Sequence, residues 1–121
     1  MPVKLAKRLC PELFIVRGDM DSYSKYSRLV TEIVAGQVPL FEKSSIDEFY
    51  IDMSGMDKFF GCSQYTHSLR DTIERESGLS ISYALAYNKL ISKVATNEVK
   101  PHGQLEIAFG GENEFLAPLP I

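Results

Sequence analysis

Several things are scarce in this sequence. It has no tryptophan and only two cysteines, Cys10 and Cys62, in 121 residues. Two thiols are too few for a secreted disulfide scaffold and lack metal-ligand spacing, so the expectation is a cytoplasmic protein with free thiols. No apolar run approaches the roughly 20 residues of a membrane span, and no membrane partner is expected. The opening stretch from Met1 to Arg8 lacks the apolar core of a signal peptide. Excess positive charge is missing too: 13 Lys and Arg against 16 Asp and Glu leave a net charge of −3. That balance argues against a self-sufficient nucleic-acid binder, which ordinarily presents a basic face. Repeats, low-complexity tracts, a P-loop, a dinucleotide fingerprint and a serine-nucleophile motif are all absent. What is present is one ordinary domain, or a piece of one, 45% apolar and 24% charged. Such a chain is not disordered and can bury a core without disulfides or metal.

Proline and glycine fall between periodic segments and act as punctuation. Val3 to Leu9 reads as a short helix closed by Cys10-Pro11. Leu13 to Val16 form a short apolar run, expected as a buried strand over 12–17. A turn from Gly18 to Ser22 then supplies a cap for a helix over 23–37, with Tyr23, Tyr26, Leu29, Val30, Ile33 and Val34 at helical spacing. Val38 to Lys43 and Ile46 to Met53 read as strands joined at Lys43-Ser44-Ser45 into a hairpin. Ser54 to Gly61 is a loop with a Phe59-Phe60 pair. Ser63 to Ser77 is an amphipathic helix ended by Gly78.

Residues 79–87 alternate large and small side chains, and the all-small face (Ser80, Ser82, Ala84, Ala86) predicts close approach by a helix. Asn88 caps a helix over 89–99, with Leu90, Ile91, Val94, Ala95 and Val99 expected inward. Residues 104–109 read as a last strand, and 115–121 as an apolar exit segment. The hairpin favours an α+β fold, a sheet with helices packed on one face, over a doubly wound parallel sheet.

Chemistry has three places to sit. Asp47 and Glu48 adjoin one another at the start of an apolar strand. Neighbours in a regular strand point to opposite faces, but at a hairpin turn they can converge on one ligand. Carboxylate oxygens are the donors Mg²⁺ takes, with room left for substrate phosphates. The plain alternative is a solvated acidic pair. Lys89, Lys93 and Lys100 form a stripe opposite the apolar face of their helix, suited to a triphosphate or nucleic-acid backbone, or simply to water. Asp19-Met20-Asp21 imitates a metal motif but stands where a helix begins, so capping explains it. His67 and His102 lack companions at ligand spacing.

The run Ser44-Ser45-Ile46-Asp47-Glu48-Phe49-Tyr50-Ile51-Asp52 resembles the second metal-binding motif of Y-family (DinB/UmuC-type) translesion DNA polymerases. Asn88-Lys89-Leu90-Ile91-Ser92-Lys93-Val94-Ala95 is similar to that family's Asn-Lys-x-x-Ala-Lys-x-Ala helix, with Ser92 in place of the usual Ala. Lys100-Pro101-His102-Gly103-Gln104 resembles its Lys-Pro-Asn-Gly-Gln. Phe115-Leu116-Ala117-Pro118-Leu119-Pro120 resembles the segment leading into its thumb, and Cys10-Pro11 also fits. Together, in order and spacing, these motifs are specific.

The resemblance implies a palm-type mixed or antiparallel sheet and two-metal nucleotidyl transfer in DNA damage tolerance. Primer-template DNA and dNTP would be partners, and two Mg²⁺ ions the cofactor. Asp47 and Glu48 would be catalytic and hold the metals, Lys93 would contact the triphosphate, and Ser45 would lie near the primer end. Residues 1–11 would close the fingers region, 12–118 form a partial palm lacking the first palm strand, and 119–121 start the linker to the thumb. By itself such a fragment is expected to be inactive, to bind DNA weakly and to self-associate through an exposed sheet edge. The rival readings are a non-catalytic palm-like interaction module and, less favoured for want of a Gly-Gly-Asp/Glu turn, a nucleotide cyclase.

Overall fold

A computed structural model describes residues 1–55, 61–107 and 110–120. Its elements run α1 (Val3–Leu9), α2 (Met20–Gln37), β1 (Phe41–Ser45), β2 (Glu48–Ile51), α3 (Cys62–Ser77), β3 (Tyr83–Leu85), α4 (Lys89–Glu98), β4 (Gln104–Glu106) and α5 (Glu112–Leu116). The class is α+β. The strands form two pairs, β1 with β2 antiparallel and β3 with β4 parallel. Among the described residues no helix is long and apolar enough to cross a membrane.

The helix ends follow local chemistry. The Asp19 carboxylate accepts from the Ser22 hydroxyl at 2.7 Å and the Ser22 amide at 3.2 Å, which makes it the cap of α2 rather than half of a metal site. Asn88 Oδ1 accepts the Ile91 amide at 2.8 Å and starts α4. Gly78 ends α3 at φ 75°, a left-handed conformation that glycine adopts without steric cost.

Two apolar clusters carry the packing. In the first, Ile33, Val34 and Val38 meet Leu69 and Ile73, so α2 and α3 pack together, with Phe41, Phe49 and Ile51 of the hairpin laid against them. In the second, Ile91, Ala95 and Ile107 meet Ala84, Ala86 and Leu105, with Phe115 and Leu116 added. Ala84 and Ala86 belong to the small face expected to admit a helix, and α4 is that helix.

The structure corrects several expectations. Residues 13–19 form no strand; Phe14 is 91% and Val16 87% exposed. A strand needs a ladder, and no described segment offers one to this run. The hairpin turn falls at Ile46–Asp47, not at residues 43–45, because an irregularity between Lys43 and Ser45 lengthens β1. The strand expected over 79–87 shrinks to Tyr83–Leu85. Upstream of it the backbone bonds to α3 instead: Leu79 donates to Ser77 Oγ at 3.1 Å and Ile81 to Glu74 Oε1 at 3.2 Å.

Leu90 is 70% exposed, since the face that meets β3 is the one holding Ile91 and Ala95. The last strand is described only to Glu106, and α5 occupies part of the apolar exit segment. The Phe59-Phe60 pair lies outside the described residues.

Candidate functional site

The hairpin tip carries the acidic pair. Ser45 ends β1, Ile46 and Asp47 make the turn, and Glu48 opens β2 opposite Ser45. The turn is anchored from behind. Ser27 is buried on α2, and its hydroxyl donates to the Ile46 carbonyl at 2.6 Å. Ser27 lies four residues after Tyr23 and three before Val30, inside the apolar stripe of α2. A serine in such a stripe signals a buried hydrogen bond, and the sequence reading passed over it.

Ser45 Oγ donates to Asp47 Oδ1 at 3.0 Å. Asp47 is exposed, while Glu48 is two-thirds buried. Lys93 reaches across from α4 and pairs through Nζ with Glu48 Oε1. The hydrogen bond that Lys93 donates to Glu48 raises the Lys93 pKa, with further electrostatic support from Glu48, Tyr50 and Asp47, against partial desolvation. The Lys93 ammonium thus lies in the field of both carboxylates. One turn earlier on α4, Lys89 Nζ stands 2.5 Å from Glu42 Oε2 and 5.5 Å from the Tyr50 ring centroid. Two lysines of the expected stripe therefore clasp the hairpin, and Lys100 does not join them among the described residues. Glu42 and Tyr50 were not anticipated.

The hairpin tip thus carries two linked pairs, Ser45 with the exposed Asp47 and Lys93 with the part-buried Glu48, and Asp47 lies within electrostatic reach of Lys93. Among the described residues no group of three or more His, Cys, Asp or Glu side chains converges to hold a metal. Two carboxylates and a hydroxyl make an oxygen donor set suited to a hard divalent cation. Mg²⁺ commonly takes one or two protein carboxylates and completes its shell with water and phosphate oxygens. Glu48 would first have to exchange its ammonium partner for the metal.

Residues 1–97 match the family model described as impB/mucB/samB. The chain belongs to the impB/mucB/samB family. It is 37% identical over 122 residues to a DNA polymerase IV of Treponema denticola and 37% over 123 residues to one of Opitutus terrae, in each case over 100% of this chain and 31% of the relative. The chain thus spans about a third of the length of these relatives. Its fold is similar to part of a DinB family error-prone DNA polymerase from Sulfolobus solfataricus, with a TM-score of 0.86 at 23% identity, over 100% of this chain and 37% of that one. An insertion ternary complex of Dbh DNA polymerase gives 0.84 at 23% identity, covering 100% of this chain and 36% of the other. The Y-family resemblance carried by the motifs is in agreement, and the α+β fold is the palm-like one it implied.

Proposed function

We propose that this chain supplies part of the palm of a template-directed DNA polymerase that copies damaged DNA in the cytoplasm, with residues 12–118 as palm, 1–11 as the close of the fingers region and 119–121 as the way into the thumb. The observation that carries the proposal is the hairpin tip, where Lys93 pairs with Glu48 and lies within electrostatic reach of Asp47. Asp47 and Glu48 would hold Mg²⁺. Such ions supply Lewis acidity to the primer's terminal hydroxyl and to the leaving pyrophosphate.

The chain's own residues do the positioning. Lys93, protonated throughout the neutral range, exchanges Glu48 for triphosphate oxygens and leaves Glu48 free to bind cations. Ser45, hydrogen-bonded to Asp47, orients that carboxylate and lies beside the primer end. Ser27 fixes the turn that holds the pair. With only two carboxylates at the tip, this chain alone is expected neither to incorporate nucleotides nor to bind DNA tightly. Its unpaired strand edges and exposed apolar segment are expected to drive self-association.

The test is primer extension with Mg²⁺ by the full-length gene product. Asp47→Ala is expected to abolish extension, and Lys93→Ala to raise the dNTP KM at least tenfold. Extension retained by Asp47→Ala would reject the site.

A further inference from the structure

Helix α4 meets the hairpin through two ion pairs that differ in burial. Lys89 and Lys93 stand one turn apart on α4. Glu48 and Tyr50 share a face of β2, and Glu42 lies opposite Tyr50 on β1, so all three turn toward those lysines. The Lys89–Glu42 pair leaves 62% and 59% of its side chains exposed, the Lys93–Glu48 pair only 37% and 34%. The inner pair is the less hydrated, and its charges hold each other more strongly. Asp47, by contrast, is exposed and accepts from a neutral donor, the Ser45 hydroxyl.

The function proposed above places both inner partners elsewhere, Glu48 on a cation and Lys93 on phosphate oxygens. A carboxylate closed on an ammonium offers a cation less charge and fewer lone pairs. An ammonium closed on a carboxylate offers phosphate fewer donors. Either ligand arriving by itself has to break the pair. Once one has broken it, the other meets a freed group, and the gain is reciprocal. Lys89, held by Glu42 and 5.5 Å from the Tyr50 ring centroid, takes no part in the exchange, so α4 stays on the hairpin while Lys93 changes partner.

We propose that the Lys93–Glu48 ion pair is a latch: it holds the empty site shut against a divalent cation or a polyphosphate alone and couples the binding of the two. The assignment deepens the polymerase reading, on which its choice of ligands rests. It adds an order of events to that reading. A lone cation or a lone nucleotide finds the site closed, and the two together open it from both ends of the pair.

The experiment titrates the 121-residue chain with Mg²⁺ alone and, separately, with inorganic triphosphate alone, because the two ligands bind one another in solution. The readouts are the amide signals of residues 45–48 and the side-chain Cε signal of Lys93. Mg²⁺ is expected to move the Lys93 signal along the same isotherm as the Asp47 and Glu48 amides, as the ammonium is released. Lys93→Gln is expected to tighten Mg²⁺ binding about fivefold, and Glu48→Gln to tighten triphosphate binding by a similar factor. Lys89→Gln and Glu42→Gln remove the same charges from the outer pair and should change these affinities by less than about twofold. Unchanged or weaker Mg²⁺ binding by Lys93→Gln, unchanged or weaker triphosphate binding by Glu48→Gln, an equal gain from the outer-pair variants, or no binding by the parent and both inner variants would each overturn the latch. The two arms use different variants, so misfolding of one, read from the amides of α2 and α3, leaves the other decisive. Equal affinities throughout with extension lost in Asp47→Ala would overturn the latch and keep the polymerase reading. The expected affinities with extension retained would keep the latch and reject the polymerase.

Discussion

A Cβ added to Gly103 would stand 2.2 Å from the Val99 carbonyl oxygen and 2.6 Å from the Val99 Cβ. The chain reverses there after α4 to bring β4 alongside β3, and the Gly103 carbonyl accepts the Tyr83 amide at 3.2 Å as that ladder begins. The glycine of the Lys-Pro-His-Gly run is thus required by close backbone approach. Gly103→Ala is expected to destabilise by about 1–3 kcal/mol, the usual range for overpacking, in urea unfolding. Gly36 makes the opposite case. It sits in the last turn of α2 with nothing within 4 Å of its would-be Cβ. Gly36→Ala is expected to stabilise by about 0.5–1 kcal/mol through helix propensity. Equal effects from the two substitutions would show that packing at Val99 is not what constrains Gly103.

At the scale of elements, the hairpin is held between two helices by different means. From the α2 side come the Ser27 hydroxyl on the turn carbonyl and the apolar cluster against which Phe41, Phe49 and Ile51 pack; from α4 come two lysines on Glu42 and Glu48. The Lys89–Glu42 pair is largely exposed, and exposed pairs contribute little to stability, while the Lys93–Glu48 pair is about two-thirds buried. The buried hydroxyl matters more, because its loss strands a carbonyl. Ser27→Ala is expected to cost about 1–2 kcal/mol and to broaden or shift the amide signals of residues 45–48. A variant with unchanged stability and unchanged turn signals would remove Ser27 from the positioning of the acidic pair.

The helices α2, α3 and α4 were legible because capping is local: Asp19, Asn88 and Gly78 act within four residues of themselves, whereas α5 was not read. The acidic pair was legible as adjacent charges in an apolar run. The position of the turn was not. Ser44 and Ser45 are good turn formers, and neither the irregularity between Lys43 and Ser45 nor the contact from Ser27, 19 residues away, shows in a local pattern. The fate of 79–82 was hidden for the same reason, since its amides bond to Ser77 and Glu74 side chains that no alternation pattern records. The run from Leu13 to Val16 has strand composition but no ladder, and composition does not carry a partner.

Over the whole molecule, three carboxylates report on folding in acid. The Asp19 carboxyl is held low by the Ser22 hydroxyl and amide, that of Asp52 by Ser54, and that of Glu74 first by the Ile81 amide and then by His102 and Arg70. Each folded pKa lies below its unfolded value. Their contribution is therefore complete above about pH 4–5 and is lost as pH falls through the folded values. Thermal midpoints are expected to fall as the pH drops below about 4. Glu74→Gln should lower the midpoint at pH 6 and make little difference at pH 3; the same loss at both values would mean that the Glu74 charge is not linked to folding.

The largest unspent term is hydrophobic. Leu9, Phe14, Ile15 and Val16 expose 67%, 91%, 56% and 87% of their surface, in one stretch with β-forming composition and no ladder of its own. Each two-stranded sheet also leaves one side of every strand unpaired among the described residues. An extended apolar segment and an open edge are complementary, and in a solution of this chain the nearest supply of both is a second copy. The expected outcome is a concentration-dependent mass by light scattering, reduced toward the monomer by Phe14→Asp with Val16→Lys. Both substitutions lie far in sequence from the hairpin, so its amide signals should survive them. A monomer for the parent chain at millimolar concentration would mean that these apolar side chains are covered within the molecule itself, and the open-edge argument would then fail together with the exposed conformation of residues 13–19.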